Sequence, residues 1–141
     1  MRLLGPVTVK LFVSSDSPDT DFAAKLVDIY PPTDDDPDGF GLTVCEGMMW
    51  MSYRDADTGP APAMQTAAVY EMEISCFPAS NLFAPGHRIR LDIASSNFPR
   101  REINRNTGDP LKPGKQIERN TVWHDASRPS LVMLPVTPVV V

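Results

Sequence analysis

Cysteine and histidine are scarce in this sequence, with two residues of each type among 141. Two cysteines cannot complete a four-ligand structural zinc site, and the histidines lack the spacing of metal ligands, so we expect no metal or other cofactor. Cys45 and Cys76 both lie in apolar runs. Two interpretations stay open for them, reduced core thiols or a disulfide between neighbouring strands, because sequence does not fix geometry.

Long hydrophobic runs are also absent. No stretch approaches the roughly 20 apolar residues of a membrane span, and residues 1–4 are followed at once by Gly5 and Pro6 rather than by the apolar segment of a signal peptide. We therefore expect no membrane contact and, by default, a cytoplasmic location. The net charge of −5 argues against nucleic acid or anionic membrane as a partner, because both attract basic patches.

Helical periodicity is missing as well, since no segment of ten or more residues repeats its apolar positions at the helical spacing between helix caps. Instead, 15 prolines and eight glycines are spread along the chain, and proline is tolerated in turns and at strand ends. The length suits one domain with its own core. The sequence thus predicts a single all-β domain over residues 1–141, a two-layer β-sandwich of seven or eight short strands.

Alternating apolar and polar residues indicate where these strands lie. Strands are predicted at 7–13, 22–30, 42–53, 70–76, 87–93, 120–124 and 131–136. Gly47 suggests a β-bulge in the third of them, and Trp50 and Trp123 fall in strand patterns that look buried. The acidic loop at 34–39 is interpreted as a solvated turn rather than a calcium site, because it lacks the spacing of an EF-hand.

No motif assembles the residues that hydrolysis of esters or peptides needs. The nucleophile elbow Gly-x-Ser-x-Gly does not occur. His124 and Asp125 are adjacent, but adjacent strand residues point to opposite faces, and His87 falls on the apolar side of its strand, as a core or rim histidine does. We therefore expect no catalytic residue in this chain.

Arginines form the basic cluster of the sequence, at positions 88, 90, 100, 101 and 105. The two strand residues of this cluster are expected to form exposed ion pairs, worth at most ~1 kcal/mol each, with Asp19, Asp21 or Asp92. A patch that binds a carboxylate or a sugar is the alternative.

Four stretches occur in an order and spacing that resemble the C-terminal domain of the X-Pro dipeptidyl-peptidase and cocaine-esterase family of serine hydrolases, a domain also found in α-amino-acid ester hydrolases. They are VSSDSPDTDFAAKLVD at 13–28, SNLFAPGHRIRL at 80–91, SSNFPR at 95–100 with NRNTG at 104–108, and HD at 124–125 followed by PS at 129–130 and LPV at 134–136. The similarity extends from about Gly5 to Val136, and is poor at 55–68.

The resemblance implies a jelly-roll β-sandwich of the galactose-binding-like type. It also implies a parent enzyme whose α/β-hydrolase domain carries a Ser-His-Asp triad upstream of this domain, and a β-sandwich that packs on that catalytic domain, shapes its substrate cleft and takes part in oligomer contacts. Family members carry further β structure before the segment that matches Gly5. We therefore expect an N-terminally truncated copy whose exposed edge strands favour a homo-oligomer, with the apolar residues 139–141 as candidate participants.

Aromatic side chains near turns are the candidate contact residues. Phe22, Phe83 and Phe98 lie in or beside turns, where exposed aromatics mark contact surfaces, and with Arg100 they form the predicted cleft or interface contacts. The alternative for Phe22 and Phe83 is that they cap the core. A stand-alone module that binds carbohydrate or another small ligand through exposed Trp and Tyr is the alternative function.

Overall fold

The described residues fold into eleven short strands and one turn of 3-10 helix. The computed structural model describes residues 1–55, 59–109 and 111–138, and residues 139–141, the candidate participants in an oligomer, lie outside these ranges. The 3-10 turn covers Met51–Tyr53, and the strands are β1 (Arg2–Gly5), β2 (Thr8–Ser15), β3 (Asp21–Ile29), β4 (Gly41–Trp50), β5 (Tyr70–Ser75), β6 (Ala79–Leu82), β7 (Arg88–Ala94), β8 (Asn120–Asp125), β9 (Arg128–Pro129), β10 (Leu131–Met133) and β11 (Val136–Thr137).

Antiparallel pairing joins these strands into three sheets. In the first sheet, β2 pairs with β5, β8 and β10, and β8 also pairs with β9. The second sheet has the order β4-β3-β7, and the third has the order β11-β1-β6. Inward-facing residues of β2, β3 and β5 belong to one buried hydrophobic cluster. Two sheets that share one core form a sandwich, so the predicted all-β sandwich is confirmed.

The buried face of β2 follows from its alternating sequence. Val9, Leu11 and Val13 are each at most 2% exposed, as expected for residues two apart on a strand. In the register of β2 with β5, Ile74 faces Val9 and Met72 faces Leu11, so both strands bury the same face. Full burial of such a side chain stabilises the fold by about 1.5–3 kcal/mol.

The central strand of the β4-β3-β7 sheet is buried on both of its faces. Phe22 and Leu26 point into the sandwich core, whereas Ala23 and Val27, on the opposite face of β3, are also no more than 3% exposed. β4 and β7 flank β3 on its two edges, and Asn104 of the loop after β7 binds Asp21 at its start. The apolar run that the sequence shows at 22–30 is therefore explained by burial on two sides.

The bulge in β4 lies elsewhere than predicted. The register of β3 with β4 shifts after Leu26, and Val44 is the extra residue. Gly47 has a different role, because a Cβ atom at this position would lie 2.6 Å from the carbonyl oxygen of Ser75. The prediction of a bulge at Gly47 is thus wrong, and the glycine instead permits β4 and β5 to approach closely.

The two cysteines are buried and free, which agrees with the interpretation as reduced core thiols. Cys45 lies on β4 and Cys76 directly follows β5. Burial raises the pKa of Cys76 to about 12, and the neighbouring Cys45 adds to this rise. Burial also raises the pKa of Cys45. Such thiols are poor nucleophiles, because the thiolate is the reactive form.

The acidic loop between β3 and β4 is a turn. The carbonyl oxygen of Asp36 accepts hydrogen bonds from the N–H groups of Thr33 and Gly39 at 2.9 and 3.0 Å. Over residues 1–55, 59–109 and 111–138, no three His, Cys, Asp or Glu side chains gather in a group that would hold a metal ion. In these same ranges no helix has the length and apolar character needed to cross a membrane.

Candidate functional site

Among the described residues, neither histidine has a nucleophilic side chain as a hydrogen-bond partner. His87 Nδ1 lies 2.9 Å from Asp28 Oδ1, and Asn81 donates a hydrogen bond of 2.9 Å to the other carboxylate oxygen. Asp28 is fully buried, and the His87 ring lies 4.2 Å from the ring of Tyr30. His124 is exposed. In the described part of the chain, no serine or cysteine side chain hydrogen-bonds to either histidine, so neither is arranged to activate a nucleophile.

Aromatic and arginine side chains gather where β4 ends beside the loop that follows β7. The alternation of β4 places Glu46, Met48 and Trp50 on the face opposite to the core residues of this strand, and Phe77 follows β5 nearby. The loop after β7 adds its own aromatic and basic residues. We define the aromatic–arginine surface as Trp50, Phe77, Phe98, Arg100 and Arg101; the three rings are 38%, 59% and 69% exposed, in that order.

Glu46 fixes the loop after β7 on β4. Its side chain is only 12% exposed, and Arg100 Nη1 lies 2.5 Å from its Oε1 atom. Asn97 donates a hydrogen bond of 3.3 Å to Oε2, and Lys25 Nζ lies 3.7 Å from the same oxygen. Arg100 and Lys25 therefore offset the charge of this carboxylate, and Asn97 and Arg100 hold the Phe98 segment in place.

The arginines of this surface lie over aromatic rings. The Arg100 guanidinium is 5.8 Å from the centre of the Phe77 ring, and that of Arg101 is 5.6 Å from the Trp50 ring. Both distances fall within the range of a cation–π contact, which contributes about 0.5–1 kcal/mol at an exposed site. Each guanidinium therefore has a ring as a favourable neighbour on this surface.

Two concave regions adjoin the aromatic–arginine surface. A cleft of about 160 Å³ lies between β4 and the loop after β7. A larger cleft of about 540 Å³ is lined by Tyr53, Ala61 and the loop from Glu102 to Asp109. An apolar patch formed by Met48, Met49, Trp50 and Tyr53 shares Tyr53 with the larger cleft and Met48 and Trp50 with the smaller one. Aromatic side chains therefore line both concave regions.

Buried carboxylates hold the long loop after β7 on the β2–β3 turn. Asn104 donates hydrogen bonds to Asp19 at 3.0 Å and to Asp21 at 2.7 Å, and Asn106 donates to Glu118. Asp21 is 2% exposed. Burial raises the pKa of Asp21 to about 6; the hydrogen bond from Asn104 opposes this rise, and the charges of Asp19 and Glu118 add to it.

Two of the four predicted contact residues are exposed and two are buried. Phe98 and Arg100 belong to the aromatic–arginine surface, with Phe98 at 69% and the Arg100 side chain at 60% exposure. Phe22 and Phe83 are 2% and 4% exposed and lie in the core cluster. The burial of these two rings agrees with the alternative that Phe22 and Phe83 cap the core. The contact role of Phe98 and Arg100 stays a prediction.

Trp50 is the surface residue that the sequence pattern missed. Its strand pattern predicts burial, but alternation distinguishes two faces and does not show which of them is covered.

Trp123 is half-buried, with the Arg128 guanidinium 3.6 Å from its ring centre. On β7, Arg90 Nε lies 2.9 Å from Asp92 Oδ1, so one of the predicted exposed ion pairs is present.

The chain is an all-β sandwich domain, and in its described part neither histidine has a serine or cysteine side chain as a hydrogen-bond partner. Residues 1–133 match the family model of the X-Pro dipeptidyl-peptidase C-terminal non-catalytic domain. The chain belongs to this family, and the resemblance seen in its sequence is confirmed.

Curated and solved relatives are hydrolases of greater length. Cocaine esterase of Rhodococcus sp. (strain MB1 Bresler) is 37% identical over 96% of this chain and 23% of its own length. A solved α-amino acid ester hydrolase superimposes with a TM-score of 0.89 at 29% identity, over 96% of this chain and 23% of that one. An aminopeptidase of a marine sediment Thaumarchaeota archaeon gives a TM-score of 0.86 at 27% identity, over 94% and 23%. The chain thus spans about a quarter of each of these relatives.

Proposed function

We propose that this domain packs on an α/β-hydrolase catalytic domain through the aromatic–arginine surface and helps to wall the substrate cleft of that domain. The parent enzyme would cleave acyl-ester or peptide bonds, as the names of its relatives indicate. The observation that carries the proposal is the exposure of Trp50 and Phe77 around one cleft, with Phe98 exposed on the loop that borders it, on a domain of this hydrolase family.

The composition of the surface supports this role. Aromatic residues and arginine are enriched in the buried centres of protein interfaces, and truncation of such residues accounts for most of the binding energy. Solvent-exposed rings of this size are uncommon in clusters unless a partner covers them. Since the relatives devote about three quarters of their length to other segments, a covalently attached partner is the simplest occupant.

The anchoring of the loop after β7 also supports it. Glu46 binds Asn97 and Arg100, which lie on either side of Phe98, and further along the loop Asn104 binds the carboxylates of Asp19 and Asp21. A contact residue on an anchored loop is already in its bound position. The cleft of about 540 Å³ beside Tyr53 would then lie at the border between the two domains and contribute to the substrate pocket.

A chimaeric enzyme tests this proposal. The matching segment of the Rhodococcus cocaine esterase is replaced by this chain, and esterase activity and the temperature of half-inactivation are measured. We expect a soluble, active chimaera. Phe98→Ser and Trp50→Ser should each lower the half-inactivation temperature by about 2–4 °C, since truncation of a central contact costs about 1–2 kcal/mol.

Phe40→Ser is the matched control, because Phe40 is a half-exposed aromatic residue at the opposite end of β4. Its ring stacks on Tyr30, so each variant is also unfolded as the isolated chain, and the comparison uses only the loss in the chimaera beyond that in the isolated chain, which should be close to zero for Phe40→Ser. Equal losses for Phe98→Ser and Phe40→Ser, or no loss for either, would refute the assignment of the interface. A fluorophosphonate probe should label the chimaera and leave the isolated chain unlabelled.

Carbohydrate binding is a second candidate, which the exposure of Trp50 favours. Trp50 lies with Tyr53 on the apolar patch of β4, at 38% and 54% exposure, and exposed rings of this kind stack on sugar faces. Binding of the isolated chain to a glycan array, abolished by Trp50→Ala and retained by Phe40→Ala, would support this function. Absence of binding to every glycan would exclude it for the sugars on the array.

A further inference from the structure

The two cysteines belong to different sheets of the sandwich and meet in its core. Cys45 lies on β4, in the β4-β3-β7 sheet, whereas Cys76 directly follows β5, which pairs with β2 in the first sheet. They are 6% and 4% exposed and belong to the same buried cluster. The two thiols are in hydrogen-bond contact with each other. A pair of thiols therefore spans the space between two sheets.

The backbone brings β4 and the end of β5 together at this point. The N–H group of Phe77, which follows one cysteine, donates a hydrogen bond of 3.2 Å to the carbonyl oxygen of Glu46, which follows the other. One residue further along β4, a Cβ atom at Gly47 would lie 2.6 Å from the carbonyl oxygen of Ser75. A disulfide requires such a close approach of two backbones.

Both cysteines of the chain belong to this one contact. Packing alone requires only small apolar side chains here, because a buried free cysteine behaves as a small hydrophobic residue. Two thiols in contact offer a chemistry that such side chains lack, since they are the reduced form of a disulfide. The bond would close a loop of roughly 30 residues, and closure of a loop of this length constrains the unfolded chain strongly.

We propose that Cys45 and Cys76 form a reversible disulfide that joins the two sheets of the sandwich. The oxidant is a low-molecular-weight disulfide of the glutathione class. As the S–S bond forms, the two cysteines lose two electrons and two protons; the oxidant takes up both as its own S–S bond is cleaved into two thiols. The structure holds the reduced form of the pair.

The exchange starts when the core is open. Burial raises the pKa of both thiols, that of Cys76 to about 12, and only a thiolate attacks a disulfide. When β4 separates from β5, or before the chain folds, both thiols reach solvent and ionise more readily. One thiolate then forms a mixed disulfide with the oxidant. The other displaces the reduced oxidant as the sheets close, and the new bond is shielded in the core.

This disulfide would lie directly beneath the aromatic–arginine surface. Glu46, next to Cys45, binds Arg100, and Phe77, next to Cys76, is one of the exposed rings. The bond would fix the two strands that carry these side chains relative to each other. The inference does not depend on the proposed docking, because it concerns the isolated domain; failure of the chimaera experiment would leave it standing, and the reverse also holds.

Refolding in glutathione buffers tests the proposal. The full chain is unfolded in urea and refolded at pH 8 in mixtures of reduced and oxidised glutathione, so that burial does not block the reaction. Thiol titration measures the oxidised fraction, and the mass of the linked peptide identifies the bond. We expect the folded chain to be half oxidised at a value of [GSH]²/[GSSG] on the order of 100-fold higher than the chain kept in urea.

Urea unfolding of the oxidised and reduced chains provides a second measurement. Linkage requires the disulfide to lower the unfolding equilibrium constant by the same factor, on the order of 100-fold. Cys45→Ala and Cys76→Ala should each abolish the linked peptide and the difference between oxidising and reducing buffers; circular dichroism establishes that both variants fold.

Three results would overturn the proposal. The first is a chain that keeps two free thiols after it refolds in oxidised glutathione. The second is a chain that carries glutathione on each cysteine instead of an internal bond. The third is an internal disulfide that leaves the unfolding equilibrium constant unchanged or raises it, which would mean that the folded sandwich does not accommodate the bond.

Discussion

Replacement of Asp21 by asparagine should stabilise the domain at neutral pH. Asp21 is almost completely buried, and burial together with the charges of Asp19 and Glu118 raises its pKa to about 6. The unfolded chain ionises this carboxyl group near its ordinary pKa of 3.8. Protonated Asp21 therefore stabilises the fold fully below about pH 3.8, and this contribution is lost as the pH rises through about 6. The pKa difference corresponds to about 3 kcal/mol.

Urea unfolding measures this effect at pH 4 and pH 7.5. The amide introduced by Asp21→Asn would keep an oxygen that accepts the hydrogen bond from Asn104, and it has no charge to bury. The difference in unfolding free energy between Asp21→Asn and the parent chain should grow by about 2–3 kcal/mol in favour of the variant between these pH values. At pH 4 the two chains should be close in stability.

Asp34→Asn is the control, because Asp34 lies exposed in the acidic turn. It should leave the pH dependence of the unfolding free energy as in the parent chain. If Asp21→Asn shifts stability by the same amount at both pH values, or lowers it at pH 7.5, then burial does not penalise the Asp21 carboxylate and the reasoning fails.

Two further substitutions test the packing. Gly47→Ala should lower the unfolding free energy by about 1–3 kcal/mol in urea unfolding, since its Cβ would approach the Ser75 carbonyl oxygen to 2.6 Å; unchanged stability would mean that β4 and β5 can separate at no cost. His87→Ala should cost about 2 kcal/mol at pH 7, because it leaves the buried Asp28 carboxylate without one of its two partners. The exposed His124→Ala is its control, and an equal loss for both histidines would contradict the role of the Asp28 contact.

The longer strands could be predicted from the sequence because their apolar and polar residues alternate, whereas the short strands β1, β6 and β9 were not predicted. Val9, Leu11 and Val13 lie on one face of β2 in the pattern and in the structure. The family resemblance could be recognised because it depends on the order and spacing of four motifs along the chain. The absence of a nucleophile elbow could likewise be determined directly from the sequence.

Which face of a strand is covered could not be predicted. Trp50 has the same alternation as a core residue, but β4 turns that side outward, where the loop after β7 covers Glu46 and leaves Trp50 exposed. Phe22 and Phe83 adjoin turns and are nevertheless buried, since proximity to a turn in sequence does not determine distance from the core. The partners of Asp21 come from a loop more than 80 residues away, and no local pattern reports such contacts.

The double burial of β3 has a consequence for the newly made chain. A strand that is apolar on both sides is the segment most prone to aggregate while its neighbours are still unfolded, because it exposes two faces to other chains. β3 interrupts its apolar residues with Lys25 and Asp28, which oppose such association as gatekeeper charges do. In the folded state Lys25 approaches Glu46 and Asp28 binds His87. The same two residues thus protect the strand before folding and have Glu46 and His87 as partners once it is in place.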